Sequence, residues 1–86
     1  MKAQLHKRFR KYFEKIPIKI QNRFAERIEQ FMENPFHPAL NDHAVDAAYP
    51  GWRSINITGD YRALYEMQEN GMALFMKIGT HAELYR

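Results

Sequence analysis

The spacing of apolar residues changes character once along this chain, and that change constrains the fold more than any other feature. In the first third, apolar side chains recur every three or four residues. Phe9, Tyr12, Phe13 and Ile16 lie on one helical stripe, while Lys7, Lys11 and Lys15 lie four apart on another face. Ile20, Phe24, Ile28, Phe31 and Met32 form a second stripe, with Lys19, Arg23 and Arg27 opposite. Pro17 divides the two helices; proline suits the first turn of a helix, where its missing N–H has no partner to lose. Asn34-Pro35 closes the second. The expected unit is a helical hairpin whose two apolar faces turn toward one shared layer.

From Trp52 onward the period is two. Arg53, Ile55 and Ile57 alternate with Ser54, Asn56 and Thr58, the pattern of a half-buried strand. Thr58-Gly59-Asp60 reads as a turn and residues 61–67 as the next strand. Asn70-Gly71 predicts a type I′ hairpin, because both central positions of that turn need positive φ. The last strand, 72–78, is apolar on both faces apart from Lys77, which suits an interior strand with helices on one side and a covered site on the other. Residues 35–51 hold three of the four prolines and no sustained period, so a long loop is expected, the kind of segment that often carries function. A short strand over residues 2–5 can pair with the sheet, on a slight local signal. The fold class expected is α+β, an N-terminal helical hairpin packed on a small antiparallel sheet. A chain of 86 residues leaves room for one domain, 1–86, and no linker.

Composition narrows the chemistry. Hydrophobic content of 45 % with twelve aromatics supports a packed core rather than disorder. Without cysteine, disulfide frameworks and thiolate metal sites are excluded. No apolar run approaches the roughly 18 residues that span a bilayer, and Met1-Lys2-Ala3-Gln4 lacks the apolar core of a secretory signal, so a cytoplasmic protein with no membrane partner is expected. The net charge of +3 divides unevenly. Residues 1–34 carry nine Lys or Arg against four Glu (+5), and residues 35–86 carry four against six acidic residues (−2). A basic surface of this kind favours a polyanion or an acidic protein, although solvated helix faces also look like this.

Three segments carry a resemblance: Asn41-Asp42-His43, the run from Gly51 to Tyr65 (GWRSINITGDYRALY), and the run from Ile78 to Tyr85 (IGTHAELY). Together, in this order, they resemble the RelE/ParE superfamily of type II toxins, and within it the YafQ-like mRNA interferases, over nearly the whole chain. The resemblance implies a microbial ribonuclease-like fold, cleavage of messenger RNA in the ribosomal A site and neutralisation by a cognate antitoxin protein. It also implies catalytic roles for His43, Asp60 and His81 and a functional C-terminal aromatic at Tyr85. Arg53 and Arg62 fall where RelE carries catalytic or phosphate-binding cations. Asn56 departs from the pattern, standing where the family has a histidine.

The residue types suit that chemistry. Metal-free RNA cleavage needs a base for the 2′-OH proton, an acid for the departing 5′ oxygen and cations for the charge on phosphorus. Histidine serves either proton role, so His43 is assigned as base and His81 as acid; otherwise each is a surface loop histidine. Asp60 orients a histidine or substitutes as base, or is simply a turn residue. Arg62, two residues on, grips the scissile phosphate or pairs with Asp60. Arg53 is expected to bind substrate, and Tyr85 to stack on a base or pin the C-terminus. His6 and His37 are placed outside the site. Nothing in the spacing of His37, Asp42, His43 and Asp46 imposes a ligand geometry, and no metal or cofactor is expected. Two rival functions remain: a ParE-like topoisomerase inhibitor without chemistry of its own, and an RNA- or partner-binding module resting on the basic helices. Sequence is silent on oligomeric state.

Overall fold

In the computed structural model, which describes residues 1–85, the helical segment divides at Pro17 into α1, Lys7–Lys15, and α2, Ile18–Glu33. Pro17 is the N-cap of α2, one position ahead of its expected place in the first turn, and its carbonyl accepts the N–H groups of Ile20 and Gln21. The side-chain amide of Gln21 reaches back to the carbonyls of Phe13 and Ile16 at the end of α1, the former shared with the Ile16 N–H. The histidines placed outside the site both have a structural task. His6 Nδ1 accepts the Arg8 N–H at the start of α1, and His37 Nδ1 accepts the Ala39 N–H at the start of the 3₁₀ turn Pro38–Leu40.

The strands are β1, Lys2–Leu5; β2, His43–Ala44; β3, Trp52–Asn56; β4, Tyr61–Met67; and β5, Met72–Thr80, followed by the short helix α3, His81–Leu84. They form one sheet in the order β1-β5-β4-β3-β2. The sheet is not wholly antiparallel, because β1 pairs in parallel with β5, from Lys2 opposite Met72 to Leu5 opposite Phe75. This places β5 inside the sheet, as its apolar run suggests, and carries it two residues beyond Ile78. Between β4 and β5 the register slips at Leu64/Tyr65: Leu64 faces Lys77 whereas Tyr65 faces Phe75. Met76 is the extra residue. It lets Ala73, Phe75 and Ile78 all reach the helix-side core although their spacing breaks a period of two.

One turn differs from expectation. Gly71 has φ of +82°, but Asn70 stays at negative φ, so the β4–β5 hairpin is not type I′. Gly71 N–H donates to the Gln68 carbonyl and Gln68 N–H to the Met72 carbonyl, a type I turn closed by a glycine bulge.

The core lies between the helices and one sheet face. Phe9, Phe24, Phe31, Tyr65 and Phe75 form a mutually tilted aromatic cluster with centroids 5.0 to 6.1 Å apart. Each fully buried phenylalanine contributes roughly 1.5–3 kcal/mol by leaving water. Two members of the expected stripes stay half-exposed. Met32 has its carbonyl bound by the N-terminal ammonium, and Tyr12 lies near the Lys77 ammonium, 6.0 Å from its ring centroid.

Candidate active site

The opposite face of the sheet carries a cleft of about 300 Å³, open to solvent, at the end where β2 and α3 meet. Strand geometry decides which side chains reach it. Ser54 points into the cleft from β3; its ladder partner in β2 is His43, which therefore lies on the same side. Arg62 enters from β4, and His81 and Tyr85 enter from either end of α3. Residues 44–48 close the remaining wall.

His43 is exposed, and its Nδ1 lies 2.7 Å from the carbonyl of Asn41. A carbonyl only accepts, so Nδ1 carries the proton and the neutral ring keeps its lone pair on Nε2. Asn41 is held in the left-handed region at φ 45°, ψ 49°, as the C-cap of the 3₁₀ turn. His81 is the first residue of α3; its backbone N–H donates to the Asp60 carbonyl. Thr80 and Glu83 form a reciprocal capping box over this turn. The His81 ring lies 4.6 Å from that of Tyr85.

Arg62 commits Nη1 to the carbonyls of Thr58 and Tyr61, at 2.9 and 3.1 Å, which fixes its guanidinium as part of the cleft wall. Burial raises the Tyr85 hydroxyl above the ordinary tyrosine range; the neighbouring Ser54 hydroxyl opposes this, Tyr49 adds to it, and the Arg62 charge opposes it. Ser54 itself is fully buried, and its Oγ has no partner in bonding geometry among the described residues.

The structure thus brings His43, Arg62, His81 and Tyr85 to one cleft and leaves two other expected residues outside it. Asp60 is exposed; its carbonyl serves His81, and it makes no ion pair with Arg62. Arg53 is the neighbour of Ser54 along the strand and so points to the helix side, where Nε donates to Asp42 Oδ1 at 2.8 Å. Asn56 lines a different cleft, with Arg23 and Arg27 of α2.

Sequence reasoning missed Tyr49. Its hydroxyl donates to the Leu84 carbonyl at the end of α3, its ring stacks on Trp52 at 5.1 Å and meets Tyr85 at 6.0 Å, and the Lys77 ammonium sits over it at 5.3 Å. A large aromatic directly before the Pro50-Gly51 turn is the one local signal that points to it. In the sequence Ser54 reads only as a polar strand position, and Asp42 as part of a motif and a dismissed metal ligand.

Comparison with known proteins agrees with this architecture. The family model described as the ParE toxin of the type II toxin-antitoxin system, parDE, matches residues 3–85. No curated protein sequence matches the chain. Among solved structures, YafQ from E. coli strain BL21(DE3) superposes with a TM-score of 0.80 at 18 % identity, covering 98 % of this chain and 97 % of that one. The RelBE2 toxin-antitoxin complex from Mycobacterium tuberculosis gives 0.75 at 16 % identity, covering 93 % and 96 %. The RelB-RelE antitoxin-toxin complex from Methanococcus jannaschii gives 0.74 at 20 % identity, covering 94 % and 93 %. At such identities the structural matches speak to the fold, and the family match speaks to descent: this chain is a toxin of the ParE family of type II toxin-antitoxin systems, within the RelE/ParE superfamily.

Proposed function

We propose that this toxin is an endoribonuclease that cleaves messenger RNA in the ribosomal A site and is neutralised by a cognate antitoxin. The observation that carries the reading is the convergence of two histidines and an arginine on one open cleft from three separate parts of the chain. His43 Nε2, with its lone pair free, takes the proton of the 2′-OH; the oxygen attacks phosphorus, and His81 protonates the departing 5′ oxygen. Arg62 stabilises the charge that accumulates on the phosphoryl oxygens, and Tyr85 offers a face on which a base stacks. The basic helices assist encounter with the ribosome. Asp60 acts by holding the first turn of α3 through its carbonyl rather than as a base.

The test combines translating ribosomes with purified protein and maps messenger RNA 5′ ends. Ends clustered within A-site codons are expected, with loss of about 100-fold or more in His81→Ala. Intact messenger, or unchanged cleavage by a well-folded His81→Ala, defeats the proposal. The rival, a toxin that inhibits a topoisomerase by binding alone, draws support from the ParE family model; topoisomerase inhibition that survives His81→Ala would establish it. The solved RelB-RelE complex supports an antitoxin partner. Co-expression with the product of an adjacent gene should suppress cleavage and raise the melting temperature by mass action.

A further inference from the structure

His43 needs an anchor that its own strand does not supply. β2 is two residues long, lies at the sheet edge, and leaves both its side chains exposed; pairing of that extent is marginal by itself. The anchor sits one residue earlier and on the other side of the sheet. The side chain of Asp42 is 1 % exposed, a buried carboxylate that must be matched by donors. Two donors meet it. Tyr65 O–H donates to Oδ2 at 2.5 Å, and Arg53 Nε donates to Oδ1 at 2.8 Å while Arg53 Nη2 reaches the Asp42 carbonyl at 3.4 Å. Tyr65 is in turn fixed by the core, its ring 5.0 Å from Phe31 and 5.1 Å from Phe75. Arg53 also pairs through its backbone with Ala44, directly after His43.

We propose that Asp42, Arg53 and Tyr65 are positioning residues, which hold the segment 41–43 so that the Asn41 carbonyl accepts a hydrogen bond from His43 Nδ1–H and Nε2 faces the cleft. The proposal rests on reading His43 as the general base. It gives Arg53 a role on the far side of the sheet from the RNA instead of contact with it. Desolvation of the buried carboxylate offsets much of what this half-buried ion pair gains, so its value here lies in the geometry it imposes. Orienting groups of this kind fix both the tautomer and the direction of a histidine ring.

The test uses the full chain labelled with ¹⁵N-histidine. In the wild type the neutral His43 ring is expected to be predominantly Nδ1-protonated. Tyr65→Phe removes one donor and Arg53→Lys removes the two-point grip; each should shift His43 toward a mixture of tautomers. Single-turnover cleavage should fall about 10- to 100-fold, with half-saturation by ribosomes changed less than about twofold. Tyr65→Phe is the milder change and decides the matter if Arg53→Lys fails to fold. An unaltered tautomer ratio in a folded variant overturns the proposal. So does Arg53→Lys weakening half-saturation at constant rate, the behaviour of a substrate contact. If the wild type does not cleave RNA, the functional reading fails on its own, and the tautomer measurement still decides the positioning.

Discussion

Thr80→Ala and Tyr49→Phe together probe how His81 is held. Helix α3 has four residues, too few to be stable alone, so its order depends on attachments at its two ends. At the start, the Thr80 hydroxyl accepts the Glu83 N–H at 3.2 Å; loss of such a cap costs about 1 kcal/mol. At the other end, the Tyr49 hydroxyl donates to the Leu84 carbonyl, a bond worth about 1 kcal/mol. Each single change should therefore multiply opening of α3 about fivefold, and the double change, acting at separate ends, about thirtyfold. The Tyr85 N–H, bonded to the His81 carbonyl at 3.1 Å, is the reporter. Its hydrogen-exchange protection should drop by those factors, while amides of β4 and β5 lose less. Cleavage should decline in the same order. Unchanged Tyr85 protection in the double variant would show that neither attachment orders the helix, and the account of His81 placement would be wrong.

Three further outcomes follow from the geometry. Arg62→Ala should reduce cleavage strongly and Arg62→Lys should restore only part of it, because a point charge lacks the fork that meets two phosphate oxygens; full rescue by lysine would reduce its role to generic charge. Changing Lys11, Lys15, Lys19 and Arg23 together to Gln should weaken ribosome association and lower its log–log salt slope by up to about 3–4, leaving single-turnover cleavage at saturation unchanged. Burial and then the Asp42 carboxylate raise the Tyr65 hydroxyl well above the ordinary tyrosine range, and burial raises Tyr85 as well. The folded state keeps protons that the unfolded chain releases near pH 10, so urea midpoints should hold below about pH 10 and fall above it, less steeply in Tyr65→Phe; an equal slope in that variant would contradict the assignment.

The parts of the fold that follow a local period were legible in the sequence. Phe9, Phe24 and Phe31 announce their burial through spacing alone, and so do the β3 and β4 strands. Elements defined by a distant partner were legible only faintly, as at residues 2–5, or not at all. Residues 2–5 become a strand because β5 is beside them, some 70 positions later, and the extra residue Met76 answers to the partner strand β4 rather than to any local period. The site shows the same division. His43 and His81 stand out as residue types in motifs, whereas Arg53 looked like a substrate cation until strand parity placed it on the far face, against an aspartate eleven residues away. Neither parity relative to a cleft nor a pairing across a sheet can be read from neighbours along the chain.

The parallel pairing of β1 with β5 governs when this toxin becomes a folded object. β5 is an inner strand, and a ribosome makes it after the other four strands of the sheet. Until residues 72–80 emerge, β1 has no partner, β4 lacks one neighbour, and Phe75 is missing from the aromatic cluster. Pairings of such long sequence separation form late, because the loop they close is most of the chain. His81 and Tyr85 come later still. A nascent chain therefore carries the basic helices well before it carries a cleft, and a synthesis interrupted before β5 releases a fragment without that inner strand and without half of the residues proposed for the chemistry.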